Sequence, residues 1–205
     1  LGEMVPSDVR GTSSNTDDIS VTYLNIDDAP PEVDSISGRH FDESERRNNA
    51  SLVFKLVYKD VSFLITGDIN GRDKDLKDED TDNEMDSEEL ELWTRHSLRT
   101  DCNLKSTVLQ APHPGSNGSC SLPFLKAVNK ERVMIPAGHE FNHPHPSTLR
   151  RIGKANVDPT HVLRTDEGDS TPEKSNKKDP VGDDSYVFET DGNEITRIIK
   201  IKAGN

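Results

Sequence analysis

Two short β-rich runs separated by a two-residue turn constrain this chain more than any other feature of its sequence. Leu, Val, Phe and Ile dominate residues 52–57 and 61–66, and Lys59-Asp60 lies between the two runs. Apolar runs of this length, bounded by turn residues, are typical of paired strands. The second run ends abruptly at Gly67-Asp68, so the sequence predicts a β-hairpin over residues 51–66 that delivers a carboxylate to the end of a strand.

Strand and helix patterns alternate along the rest of the chain, which favours a layered fold over an all-β one. Residues 1–50 are expected to be loop apart from a strand at 19–24, and residues 167–184 are expected to be a polar loop. Helices are predicted at 90–98, at 122–128 and, capped by Ser147, through Arg151, with strands at 106–110, 132–135, 161–163, 186–188 and 195–201. The sequence thus predicts an α/β (α+β) fold, a mixed sheet flanked by helices, in one domain spanning 1–205.

Composition and charge exclude several classes of protein. Lys plus Arg number 25 and Asp plus Glu 38, a net charge of −13, which disfavours coating of a polyanion because counterion release needs basic patches. No apolar run approaches the roughly 18 residues that a membrane helix needs, so no membrane contact is expected from this chain. The two cysteines, Cys102 and Cys120, are too few for a disulfide scaffold and favour a reducing, cytoplasmic compartment. The start without Met predicts a fragment of a longer protein.

The acidic stretch 73–91 is interpreted as an insertion. It holds eleven acidic residues and two lysines, and a segment with so few apolar side chains is expected to be irregular over 73–89. Its oxygen side chains partly match a calcium-binding EF-hand loop, although Asn83 stands where that loop has glycine. The candidate calcium ligands are Asp78, Asp80, Asp82, Asp86 and Glu89. A solvated acidic loop is the favoured interpretation and a calcium site the alternative.

Asp68 and His113 are the candidate catalytic and metal-binding residues. Each follows a predicted apolar strand, and His113 lies between two prolines ahead of a Gly/Ser-rich loop. Divalent metals in hydrolases are held by such sets of imidazoles and carboxylates. The alternatives are a carboxylate that caps the next turn and a histidine with a structural role.

A histidine-rich segment covers residues 138–146 and contains His139, His143 and His145. Its two prolines fit a stiff turn that leads into the following helix equally well. We therefore expect His143 and His145 to contact substrate or to support metal ligands rather than to ligate directly.

Five motifs in this order resemble the second half of the competence-type (ComEC-like) metallo-β-lactamase-fold hydrolases. They are Asn48-Asn49-Ala50-Ser51-Leu52-Val53, Ser62-Phe63-Leu64-Ile65-Thr66-Gly67-Asp68, Ala111-Pro112-His113-Pro114-Gly115-Ser116, His143-Pro144-His145-Pro146 and Leu163-Arg164-Thr165-Asp166. The resemblance implies that Asp68 and His113 are ligands of zinc or manganese. Asn48 and Asn49 stand where many relatives outside this branch have a metal-binding histidine, so no metal ligand is expected there. These two asparagines, with Ser116, His143 and His145, are expected to contact substrate or to support the metal ligands.

The resemblance implies the C-terminal half of an αββα sandwich. The family's leading HxHxDH motif is absent, and Pro114 replaces the second histidine of its His-His-Gly-Ser motif. The chain would therefore supply two ligands, and a missing N-terminal half-domain would be its partner and supply the others. The implied function is metal-dependent hydrolysis of phosphodiesters or nucleic acid through a metal-activated water. The alternative is a non-catalytic binding module of the same fold that has lost a complete metal site.

Overall fold

A six-stranded mixed sheet covered by helices forms the body of the chain, which confirms the predicted α+β class. The structure is a computed structural model that describes residues 18–26, 31–34, 38–73, 82–99, 102–138, 143–167 and 184–202. The sheet contains β1 (Ile19–Asn25), β2 (Val53–Tyr58), β3 (Val61–Ile65), β4 (Val108–Gln110), β5 (Arg132–Ile135) and β6 (Val162–Arg164), in that spatial order. The predicted loop over 167–184 lies largely outside the described residues.

The first three strands form an antiparallel meander, and the last four run parallel. The hairpin of β2 and β3 turns at residues 59–60, which confirms the prediction from the two apolar runs. Each parallel strand needs a crossover to return to the same edge, and helices supply these crossovers. As a result, the carboxyl ends of β3, β4 and β5 lie at one edge of the sheet.

Three helices cover one face of the sheet. They are α2 (Ser87–Thr94, followed by a π-helical turn at Arg95–Arg99), α3 (Leu122–Val128) and α4 (Pro146–Lys154). The core lies between these helices and the strands, where Leu92, Phe124 and Ile152 pack with Leu64 and Leu109. Short apolar strands covered by amphipathic helices produce this arrangement.

The other face carries a two-stranded antiparallel sheet. It consists of β7 (Ser185–Thr190) and β8 (Ile195–Ile201), so the predicted terminal strand pair is confirmed but does not join the main sheet. Phe188 of β7 packs edge-on against Phe63 of β3, with ring centroids 5.5 Å apart. The Tyr186 hydroxyl donates to the Arg164 carbonyl at 3.0 Å.

The prediction of loop within residues 1–50 is wrong at one place, because helix α1 covers Glu43–Asn49. Residues 1–17, 27–30 and 35–37 lie outside the described residues. Its start is a capping box in which the Asp42 carboxylate accepts from the Glu45 N–H at 2.8 Å and the Glu45 carboxylate accepts from the Asp42 N–H at 3.0 Å. The polar composition of the segment obscured this signal, since the helix has almost no apolar face.

Two further boundaries differ from the sequence prediction. Helix α4 runs to Lys154 and is capped by His145, whose Nδ1 accepts from the Ser147 N–H at 3.2 Å. Ser147 is therefore the second helical residue and not the cap. Helix α2 begins at Ser87, so the end of the acidic insertion is not irregular. Residues 74–81, the centre of that insertion, lie outside the described residues.

Candidate functional site

The ends of β3 and β4 bring Asp68 and His113 to the same edge of the sheet. The two strands are parallel neighbours, and hydrogen bonds join the segments at their ends. The His113 N–H donates to the Gly67 carbonyl at 3.0 Å, and the Thr66 hydroxyl donates to the Gln110 carbonyl at 2.8 Å. Asp68 and His113 therefore follow adjacent strand ends, as their sequence positions predict.

A tight contact with the start of β2 positions Asp68. Its N–H donates to the Ser51 hydroxyl at 3.0 Å. Gly67 has φ +56°, and a Cβ there would lie 2.8 Å from the Ser51 Cβ. Only glycine therefore fits where these two backbone segments approach each other. The Asp68 side chain is exposed, which leaves its carboxylate at the surface of the strand edge.

Two asparagine amides contact the ring of His113. Its Nδ1 lies 3.0 Å from Oδ1 of Asn70 and 3.3 Å from Nδ2 of Asn48. Asn49 is buried behind Asn70, where its Oδ1 accepts from the Asn70 N–H at 3.1 Å. The sequence singled out Asn48 and Asn49 as residues around the site. In the structure Asn48 contacts His113 directly, and Asn49 contacts Asn70, which in turn contacts His113.

His113 opens onto a cavity of about 600 Å³. The cavity lies between α1, the loop after β4 and the start of α4. Its lining residues are Ser44, Glu45, Asn48, Asn70, His113, Ser116, Asn117, Gly118, His143, His145 and Pro146. Five of the seven site residues expected from the sequence line this cavity. Asn49 lies buried behind it, and Asp68 lies at the neighbouring strand end.

His143 lies close to His113, and the charge of Asp68 affects its pKa. The two imidazole rings meet edge to face with centroids 5.7 Å apart. Burial lowers the pKa of His143, and the neighbouring His113 and His145 lower it further, while the Asp68 carboxylate opposes them. The lowered pKa favours the neutral ring of His143, the state in which an imidazole accepts a proton or binds a metal.

His145 has a structural task in addition to lining the cavity. Its Nδ1 accepts from Ser147 as the N-cap of α4, so that nitrogen is not available as a ligand. Burial lowers the pKa of His145, followed by the charges of Arg151, Arg150 and Arg72.

Ser116 lines the cavity from the loop after β4. Its Oγ is buried and has no hydrogen-bond partner among the described residues. Its backbone is held on both sides, since its N–H donates to the His113 carbonyl at 2.7 Å and its carbonyl accepts from the Thr148 hydroxyl at 2.7 Å. A buried hydroxyl without a partner at a cavity wall is a natural contact for a ligand.

The three described residues of the candidate calcium loop each bind a different part of the protein. Asp82 accepts from Arg150 and Lys154 at 2.8 Å each, and Asp86 accepts from Arg39 at 2.9 Å. The fully buried Glu89 carboxylate accepts from the Cys120 and Ser121 N–H groups and from the Ser121 hydroxyl. These carboxylates attach the end of the insertion to the body of the fold, and Asp78 and Asp80 lie outside the described residues.

Sequence reasoning missed Glu45 and Asn70 as lining residues. The Asp42-x-x-Glu45 spacing of a capping box was the available signal for Glu45. Asn70 had no signal beyond its position two residues after Asp68. Asn117 and Gly118 belong to the Gly/Ser-rich loop that the sequence indicated only as a whole.

Within the described ranges, no group of three or more His, Cys, Asp or Glu side chains is arranged to hold a metal ion. Helices long and apolar enough to cross a bilayer are also absent from that part of the chain. The fit of a metal therefore depends on two donors, Asp68 and His113, which follow β3 and β4.

Comparison with known proteins gives one informative match. No protein-family model and no solved structure matches the chain. ComE operon protein 3 of Bacillus subtilis (strain 168) is 27% identical over 123 residues, which are 59% of this chain. The chain spans about 13% of the length of that protein. This similarity supports a relationship with a competence-associated family.

Proposed function

We propose that the chain supplies one half of a metal-dependent hydrolase centre of the metallo-β-lactamase superfamily, which acts on phosphodiesters or nucleic acid. The observation that carries the proposal is the placement of Asp68 and His113 at adjacent strand ends, with the His143 ring against His113 beside a cavity of about 600 Å³. The similarity to ComE operon protein 3 supports the part of the proposal that relates this chain to competence-associated proteins.

The donors at this edge fit zinc or manganese. An exposed carboxylate from Asp68 and an imidazole from His113 are ligand types that both metals accept. A bound metal would polarise a phosphoryl oxygen and lower the pKa of a bound water. Catalytic zinc sites use three or more protein ligands, so this edge provides a partial site that needs further donors.

The remaining cavity residues supply the surroundings of a substrate. The neutral His143 ring can accept a proton beside the reacting group. Ser116 offers a buried hydroxyl at the cavity wall.

The uncovered part of the sheet supports a second half-domain as the partner. Apolar side chains on the face opposite the helices are only partly buried, although Phe188 covers Phe63. They are Val21, Tyr23, Phe54, Leu56, Phe63 and Ile65. A face of this composition is typical of a sheet that packs against another sheet. We propose that the missing half covers this face and contributes the other metal ligands.

The test is phosphodiester hydrolysis by the longest form of the protein that contains this chain. With zinc or manganese present, Asp68→Ala and His113→Ala should each lower hydrolysis of bis(p-nitrophenyl) phosphate by at least about 100-fold, because each removes a metal ligand. His161→Ala is the matched control, since this histidine lies in the short turn Pro159–His161, outside the cavity lining. Unchanged hydrolysis in the Asp68 and His113 variants would reject the metal site at these residues. Absence of metal-dependent hydrolysis in the native protein would favour the non-catalytic binding module.

A further inference from the structure

The Nδ1 atom of His113 faces two amides that make opposite demands on it. Asn70 presents an oxygen at 3.0 Å, which can only accept a hydrogen, so this contact requires a proton on Nδ1. Asn48 presents an NH₂ group at 3.3 Å, which can only donate, so that contact requires an unprotonated Nδ1. A neutral imidazole satisfies one of these contacts and not both.

The orientation of the Asn70 amide is fixed by its other contacts. Its Nδ2 donates to Oδ1 of Asn49 at 3.2 Å and to the Glu45 carbonyl at 3.3 Å. Both partners accept there, so the NH₂ group must point towards them and the oxygen must point towards His113. Asn70 is also buried and donates its N–H to Asn49 at 3.1 Å, which holds the side chain in place.

The Asn48 amide has no comparable constraint on its orientation. Its contact with His113 is the one side-chain hydrogen bond found for it in the described part of the chain. Exchange of its oxygen and nitrogen leaves the rest of the structure unchanged and turns it into a second acceptor for the Nδ1 proton. The conflict at Nδ1 is therefore resolved in favour of Asn70.

We infer that Asn70 is a positioning residue that fixes His113 in the Nδ1–H tautomer and so presents the Nε2 lone pair at the strand edge. The inference rests on the proposed function in one respect, namely that the Nε2 lone pair binds the metal. A metal-bound histidine commonly donates its other ring N–H to an oxygen of the protein, which sets both the tautomer and the ring plane. Asn70, backed by Asn49 and the end of α1, provides that oxygen here.

The test reads the tautomer directly, without metal and without activity. Long-range ¹H–¹⁵N correlation spectra of the full 205-residue chain at about pH 8, above the ordinary imidazole pKa, distinguish a protonated from an unprotonated ring nitrogen. The His113 signals are assigned by their loss in His113→Gln. We expect a protonated Nδ1 and an unprotonated Nε2 in the native chain, and a shift towards the Nε2–H form in Asn70→Ala.

Two further variants serve as controls. Asn48→Ala should keep the Nδ1–H form, because Asn48 does not set the tautomer. Ser116→Ala changes the same cavity without contacting the ring and should leave the His113 signals in place. An Nε2–H tautomer in the native chain, or in Asn48→Ala, would overturn the inference even if Asn70→Ala failed to fold, and so would an unchanged tautomer in a folded Asn70→Ala.

Failure of the proposed function would give a different result in the same spectra. Zinc added to the longest form of the protein that contains this chain should shift the His113 Nε2 signal if the metal site exists. An unshifted Nε2 beside a persistent Nδ1–H would reject the metal site, and the control of the ring by Asn70 would stand.

Discussion

Replacing Glu89 with glutamine is expected to remove a specific pH dependence from the stability of the chain. The Glu89 carboxylate is fully buried and accepts from the Cys120 N–H at 2.6 Å, the Ser121 N–H at 2.9 Å and the Ser121 hydroxyl at 2.5 Å. Burial raises the pKa of Glu89 to about 7, against the opposing effect of these donors and of the Arg151 charge.

The size of the effect follows from the difference between the folded and unfolded pKa. An unperturbed Glu89 titrates at 4.5, so between pH 4.5 and about 7 the folded chain holds a proton that the unfolded chain has released. Stability therefore falls as pH rises through this window. At about 1.4 kcal/mol per pH unit, the ionised Glu89 lowers the free energy of unfolding by about 3 kcal/mol above pH 7.

Urea unfolding of the native chain and of Glu89→Gln, followed by the fluorescence of Trp93, measures this effect. Trp93 is the single tryptophan of the chain and lies in the same helix as Glu89. Between about pH 4.5 and 7.5 the native chain should lose about 3 kcal/mol relative to the variant, and the comparison cancels groups common to both, such as His143. A difference that is independent of pH would refute the reasoning. A difference of opposite slope would show that the donors and Arg151 outweigh burial.

Two other substitutions test how the insertion is attached to the fold. Gly71→Ala should lower the free energy of unfolding by about 1–3 kcal/mol, because the new Cβ would lie 2.0 Å from the Glu89 carboxylate. The control is Gly153→Ala in α4, where a Cβ meets open space and should raise the free energy of unfolding by about 0.5–1 kcal/mol. Equal effects of the two substitutions in urea unfolding would contradict this prediction. Asp82→Ala removes a buried acceptor of two cationic side chains of α4 and should cost about 1–2 kcal/mol, while Glu131→Ala, which breaks an exposed ion pair, should cost under about 0.5 kcal/mol.

Local sequence patterns predicted the β2–β3 hairpin and the strands of the parallel part of the sheet. The strand Arg132–Ile135 and the helix Leu122–Val128 have the predicted bounds, because each is a short apolar run ended by turn residues. Helix α1 was not predictable from periodicity, since its stability comes from the capping box and from contacts of Glu45 and Asn49 with other segments. Capping by His145 was missed because histidine is not among the residues that usually begin a helix.

The candidate site was predictable only to the level of strand ends. Asp68 and His113 follow apolar strands in the sequence, and parallel pairing then places them together. The role of Asn70 depends on three partners that are distant along the chain, Glu45, Asn49 and His113. Such contacts exist only after α1 has packed beside the loop that follows β3, so no local pattern could indicate them.

Zinc binding by the longest form of the protein that contains this chain tests the central claim most directly. Isothermal titration of the native protein, of Asp68→Ala and of His113→Ala should show a site whose affinity falls by at least about tenfold in each variant, with unchanged binding in His161→Ala. Unfolding in urea should show that Asp68→Ala changes stability by less than about 0.5 kcal/mol, because the side chain is exposed. Equal zinc affinity in all four proteins would contradict a metal site at Asp68 and His113.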